Sequence, residues 1–475
     1  MSQMEDYAYA DYDYEEGVDY VDYYEEDVYE LPKSWENLED GEVGETSSYS
    51  LAELYEYCVV PTVSDSAHHL FNLLVWSFIF TLTTRIVRVP SWFTHVSSAL
   101  CGSLVVWGLF GSRVGYVAGL ASVALTTLVF SHCALKTLRG PITCCACIAF
   151  LVICEVWWAD PVVWHSIRGP QMVVLMKLVS VGFDLDSSSI RALPGPLEML
   201  GYILNPGTII FGPWLSFNAY MKVLQPMSWG WWLIPAVLMR LISSVVFLLL
   251  STCYTSWILP EDLNRWGAAY RDALSFRSSH YFVSYMSEIS ALLAGLDAGR
   301  VAKPVYVEMP RSLVEVVIYW NMPMHYWLKT YIFKTARSRF GIFLAIIFTY
   351  AMSAIFHGLN FQLAAVLLSL GFYTYVEHSL RIKLASAFDA CVLARPCPET
   401  CSHQQKGWSS FTLMVNLVLG AVAVFHLAYL GIMFGSSSQE QESGYSMTHT
   451  LSKWSGLNFA SHWVVLICYI VYGVI

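Results

Sequence analysis

Charge is what this chain has little of. Asp, Glu, Lys and Arg make up 13% of its 475 residues, against about 25% in ordinary soluble domains. Hydrophobic residues make up 56%, and the mean hydropathy is +0.49. With apolar runs near the roughly 20 residues a bilayer requires, this excludes an ordinary soluble enzyme and describes a polytopic membrane protein. Lipids are its expected surroundings, and no nucleic-acid partner is expected. No basic segment followed by an apolar one stands at the N-terminus, so the first spanning helix is expected to act as the insertion signal. No internal repeat is evident, which speaks against a transporter built from related halves. Twelve cysteines are too few for a disulfide scaffold in a chain this long, and most lie in apolar segments, where Cys packs as a small hydrophobe.

The net charge of −11 hides two regions. Residues 1–58 carry nineteen acidic side chains against Lys33 alone, a balance of −18 that leaves +7 for residues 59–475. The Tyr- and Asp-rich tail has too few aliphatic residues to offset chain entropy by burial, so 1–58 is expected to be disordered. Residues 59–475 read as an all-α transmembrane bundle of about ten or eleven spans, with re-entrant and interfacial helices around an intramembrane cavity. Asp160, His165, Arg168 and Lys177 interrupt one apolar segment, as suits a span facing protein rather than lipid. Asn205-Pro206-Gly207 and Phe211-Gly212-Pro213-Trp214 break the next, and such breaks require burial or a cavity wall. Residues 260–311 are the longest polar section and read as amphipathic helices lying in the interface, with room for one short span.

The most informative stretch runs from Trp320 to Gln362. From Phe340 to Val376 it holds no Asp, Glu, Lys or Arg, yet His357 stands in the middle. A titratable ring there is costly to desolvate and marks a functional site by default. On a helix, Tyr350, Ser353, His357 and Asn360 share one face. If Gly358 breaks the helix, Asn360 leaves that stripe and 340–376 is two spans rather than one. Two spans place the basic residues at 329–339 and 381–383 on one side of the membrane, whereas one span separates them.

Each candidate residue carries two readings. His357 is either an interhelical hydrogen-bonding group, worth about 1 kcal/mol, or a general base, typically worth about 10²–10⁴-fold in rate. Lys329, Lys334, Arg337 and Arg339 are positive-inside anchors, a site for a polyphosphate such as coenzyme A, or both. Asn321, just before Pro323, is a cap or turn residue or an amide donor to a developing oxyanion. Cys391, Cys397, Cys401 and His403 form a C-x5-C-x3-C-x-H loop. A disulfide suits it if lumenal and zinc if cytosolic, but the spacing matches no common finger. We take it as a local fold staple and expect no metal.

Asn321 followed thirty-six residues later by His357 resembles the signature pair of the membrane-bound O-acyltransferase family. Trp320-Asn321-Met322-Pro323-Met324-x-Tyr326-Trp327-Leu328, Ser353-Ala354-x-x-His357-Gly358 and Tyr375-Val376-Glu377-His378 resemble the branch of that family that lipidates Wnt proteins. So do the cysteine loop and Ala460-Ser461-His462-Trp463. The resemblance covers roughly residues 60–475. It implies an endoplasmic-reticulum enzyme moving a palmitoleoyl group from CoA to a serine hydroxyl on a Wnt hairpin. Palmitoleoyl-CoA is then the co-substrate, and no tightly bound cofactor is implied. His357 becomes the base and Asn321 the residue that orients the thioester. Trp320, Lys329, Tyr331, Lys334, Arg337, Tyr350 and Ser353 become candidates for the donor site. The rivals are a family member with a lipid or another peptide as acceptor, and a membrane transporter.

Overall fold

The structure, a computed structural model, describes residues 50–475 except 86–88, 136, 226–230, 232, 261–262, 399 and 435–446. The acidic tail as far as residue 49 lies outside the described residues. Residues 50–58 do not share the expected disorder. Helix α1 (Leu51–Leu54) opens there and continues through a π segment (Tyr55–Val59) into α2 (Val60–Arg85). The cause is local: Ser50 Oγ accepts the Glu53 N–H and the Glu53 carboxylate accepts the Ser50 N–H, a reciprocal capping box. Cys58 in that segment is disulfide-bonded to Cys253.

Helices succeed one another from there, with no strand beyond a single Ala390–Gln405 bridge among the described residues. They are α3 (Ser91–Phe110), α4 (Val114–Ala134), α5 (Arg139–Ile153), α6 (Pro161–Ser166), α7 (Arg168–Asp186), α8 (Pro196–Ile203) and α9 (Phe217–Tyr220). Then come α10 (Leu233–Leu249), α11 (Thr255–Ile258), α12 (Arg265–Leu293), α13 (Pro304–Glu308), α14 (Leu313–Trp320) and α15 (Met322–Trp327). The last are α16 (Lys334–Phe356), α17 (Phe361–Ala387), α18 (Ser410–Gly431), α19 (Met447–Gly456) and α20 (Ala460–Val474).

Among the described residues, six stretches are long and apolar enough to cross a membrane, or seven if the α19–α20 pair, bent by 72°, is one. That is fewer than the sequence suggests, for two physical reasons. Ser91–Ala134 is one stretch of 44 residues, about twice what a span needs, and Gly111 at φ 51° divides it into α3 and α4. Other long helices are too polar to qualify on composition. Helix α12, 29 residues long, packs against α2, α10 and α18 instead of lying in an interface. It can do so because its charges are paired. Glu288 accepts from Arg240 at 2.7 Å and from the Val301 N–H at 2.7 Å, and Arg277 makes a two-toothed bond to Glu308 at 2.8 and 2.9 Å.

The interior-facing character of α7 and the broken element after it hold as the sequence suggests. Lys177 is buried, and its ammonium donates to the Tyr202 and Ile203 carbonyls and to Thr208 Oγ1 at 2.9, 3.0 and 2.9 Å. Those bonds satisfy the end of α8, where the chain leaves the helix at Asn205-Pro206-Gly207.

The run from Phe340 to Val376 is two helices. Helix α16 ends at Phe356, α17 begins at Phe361, and the two pack against each other. The basic residues near 334–339 and at 381–383 therefore sit at the same end of the bundle. Cysteines placed at the exposed positions Ser338 and Ser386 should both react with a membrane-impermeant maleimide from the same face of sealed microsomes. Labelling from opposite faces contradicts the hairpin.

Candidate active site

His357 is the C-cap of α16, its N–H bonded to the Ser353 and Ala354 carbonyls at 3.2 and 3.1 Å. The polar stripe ends there. Asn360 has turned away to cap α17, its Oδ1 accepting the Gln362 N–H at 2.9 Å. Ser353 is buried and meets His357 through its carbonyl. Tyr350 packs into the space left by Gly371 on α17, where a Cβ would come within 2.7 Å of its ring.

The turn after His357 is clamped from outside. Gly358 has φ 98°, a left-handed conformation natural only to glycine. A Cβ on it would lie 2.2 Å from the Arg168 guanidinium. That guanidinium donates to Glu155 Oε1 at 2.8 Å, and the Leu359 N–H donates to the same oxygen at 2.9 Å. Both side chains are only 16% exposed. Glu155 stands on a π segment (Cys154–Trp158) that extends α5, a helix irregularity often found at functional sites.

Asn321 lies in extended backbone (φ −147°, ψ 93°) between α14 and α15. Its neighbours are fixed by two backbone bonds, from the Met322 N–H to the Val301 carbonyl at 2.8 Å and from the Lys303 N–H to the Tyr319 carbonyl at 2.9 Å. Asn321 Oδ1 accepts the Met324 N–H at 3.0 Å and so caps α15, with Pro323 in the first turn. The cap uses the amide oxygen, so Nδ2 is the donor left for a ligand.

His280 on α12 packs on the residue before Asn321. Its ring lies flat on the Trp320 indole, 4.3 Å between centroids and 7° apart, and its Nε2 bonds to the Trp320 carbonyl at 2.8 Å. On the His357 side, the Arg168 guanidinium packs on Gly358. His280, Trp320, Asn321 and His357 are all half-buried.

The remaining candidates are placed differently. Tyr331 is buried, its hydroxyl donating to Asp184 Oδ1 at 2.9 Å. Its ring lies 5.6 Å from that of Trp327, which lies 5.5 Å from Phe356, the residue before His357. Lys329, Lys334 and Arg337 are exposed, with Arg339, on the segment before the break in α16 at Gly341. Glu155, Arg168 and His280 went unassigned as site residues in the sequence, which carries no local spacing linking them to His357.

A helical membrane bundle that holds a partly accessible imidazole and an amide with a free donor is suited to proton transfer coupled to carbonyl chemistry. The model of the membrane-bound O-acyltransferase family matches residues 121–382. The chain is 40% identical over 456 residues to the human protein-serine O-palmitoleoyltransferase porcupine, covering 89% of this chain and 97% of that relative. It is 35% identical over 468 residues to the Anopheles gambiae protein of the same name, covering 90% and 94%. Lysophospholipid acyltransferase 2 of Arabidopsis thaliana is 23% identical over 56% of this chain. The chain belongs to the membrane-bound O-acyltransferase family.

The clamp makes Gly358 a sharp test. Gly358→Ala forces a Cβ onto Arg168 and keeps a strained φ, costing about 1–3 kcal/mol locally. Acyl transfer should fall at least about tenfold at an unchanged gel-filtration profile. Wild-type activity from Gly358→Ala shows that the turn is not held as described.

Proposed function

We propose that this chain is a protein-serine O-palmitoleoyltransferase of the endoplasmic-reticulum membrane, with palmitoleoyl-CoA as donor and a Wnt hairpin serine as acceptor. The observation that carries this is the similarity, over 89% of the chain, to a protein named for that activity. The site supports it chemically. His357, neutral, takes the proton from the serine hydroxyl as its oxygen attacks the thioester carbonyl. The Asn321 Nδ2 donates to the carbonyl oxygen as negative charge develops there. The carbon–sulfur bond then breaks, and the imidazolium returns its proton to the departing CoA thiolate. The products are an O-acyl serine and CoA-SH, and no oxidant or metal enters the balance. Glu155 and Arg168 act as positioning residues, because they hold the turn that carries His357.

Purified enzyme, palmitoleoyl-CoA and a serine-containing Wnt hairpin peptide test the proposal directly. Acyl-peptide is expected, and acyl-lipid formed from a lysophospholipid with no acyl-peptide overturns it. His357→Ala should lose at least about 10²-fold in rate while remaining folded. Asn321→Ala loses the α15 cap, worth about 1 kcal/mol, and in this mechanism about 10²–10³ in rate. A rate loss within what the cap alone explains removes the donor role.

The exposed Lys329, Lys334 and Arg337 offer an anionic headgroup a cationic surface. Replacing all three by Ala should raise KM for palmitoleoyl-CoA several-fold with a smaller change in kcat, and weaken the salt dependence of KM. An unchanged KM confines these residues to membrane anchoring.

A further inference from the structure

The loop between α17 and α18 gathers three thiols and one imidazole from a spacing that fits no common finger. Cys391 Sγ lies 3.4 Å from Cys401 Sγ and 3.7 Å from His403 Nδ1, and Cys397 Sγ lies 3.6 Å from the same nitrogen. All four ligand atoms fall within 4.8 Å of one another. A tetrahedron with arms of about 2.0–2.3 Å, the lengths of Zn–N and Zn–S bonds, has edges of about 3.3–3.8 Å. Three of the six separations, at 3.4, 3.7 and 3.6 Å, fall in that range. The Cys391–Cys401 separation is too long for a sulfur–sulfur bond, whereas Cys58 and Cys253 in the same chain are bonded. We propose that Cys391, Cys397, Cys401 and His403 bind a structural zinc ion with four protein ligands and no open position.

Charge and surroundings agree with that ion. Zinc with three thiolates and a neutral imidazole carries one net negative charge. The Lys406 ammonium lies 3.6 Å from Cys401 Sγ and also bonds the Cys401 carbonyl, an outer partner of the kind that stabilises thiolate sites. The backbone is drawn together by the Cys391 N–H to the Gln405 carbonyl and the Gln405 N–H to the Asp389 carbonyl, each at 2.9 Å.

The position in the bundle also suits reduced thiols. The loop follows α17 directly, at the end that carries Lys334, Arg337 and Lys383, and clustered basic residues mark the cytosolic side. The disulfide lies toward the other end: Ser275 on α12 donates to the Ser251 carbonyl beside Cys253, and Ala273 packs on Gly431 at the end of α18 away from the loop. Arg265, at the start of α12, bonds the Gly456 carbonyl just before α20, and α20 then runs to Tyr472, which lies under Lys383 at 4.8 Å. Its 15 residues span about 22 Å. An oxidised pair at one end and free thiols at the other match the two redox compartments a membrane separates.

The zinc loop is tied to the catalytic half. Arg311 donates to the Cys391 and Leu393 carbonyls at 2.6 and 3.0 Å. The fully buried Arg381 donates to the Val392 carbonyl at 2.9 Å, and Ser312 Oγ donates to the Ala394 carbonyl at 2.8 Å. Ser312 caps α14, and α14 ends at Trp320 and Asn321. The ion thereby sets the footing of the helix that presents the amide donor.

Elemental analysis of the full chain, purified in detergent without chelator, decides the matter. About one zinc per chain is expected, and less than about half overturns the proposal. A mercurial thiol reagent with a chromogenic chelator should release that zinc from the wild-type protein, which keeps the test independent of any variant's folding. Cys397→Ser with Cys401→Ser should lose at least about nine-tenths of the metal, while Cys253→Ser retains it. Zinc that persists in the double variant, or a Cys391–Cys401 disulfide mapped by mass spectrometry in unreduced protein, also overturns it. None of these readouts depends on acyl transfer, so they stand apart from the functional proposal.

Discussion

One carboxylate oxygen fixes the reactive end of this bundle. Glu155 Oε1 accepts from the Arg168 guanidinium and from the Leu359 N–H, and so ties α5, α7 and the α16–α17 turn at one point. Breaking a buried pair by removing one partner costs about 3–5 kcal/mol, because the other charge is left uncompensated. This pair, at 16% exposure on each side, belongs toward that end of the scale. Gly358 is part of the same device, since only a residue without a Cβ lets the guanidinium come so close. His357 is positioned by what holds the turn after it, more than by its own helix.

The same rule governs the polar groups elsewhere in the bundle. Where solvent is scarce, each charge must find a partner or line a cavity. Lys177 satisfies carbonyls where α8 ends, Glu288 collects three donors, and Arg381 spans Glu377, Val392 and Asn416. Asn321 is held through its Oδ1 and His357 through its backbone N–H, which leaves Nδ2 and the imidazole to a substrate.

What could be read from the sequence was what local pattern carries. The uncharged run around His357, the polar residues of α7 and the Pro/Gly breaks after α8 all announce buried helices with interior groups. The Asn321 to His357 separation pointed to the family. Two features escaped for different reasons. Ser50-x-x-Glu53 is a capping box, but the acidic composition around it argued for disorder. Helix α12 looked too polar for the interior, because its neutralising partners lie far off: Arg240 is 48 residues from Glu288, and Glu308 is 31 from Arg277. The Glu155 clamp had no local signal, since Leu359 is 204 residues away in sequence. Pairings of that range exist only in the folded chain.

The central claim is that Asn321 and His357 converge on one thioester carbonyl. A structure of the enzyme with a non-hydrolysable palmitoleoyl-CoA analogue measures it most directly. The account predicts Asn321 Nδ2 and a His357 ring nitrogen each within about 3 Å of the carbonyl region or of a bridging acceptor hydroxyl. An analogue whose carbonyl lies beyond the reach of both side chains, even through one water, contradicts it.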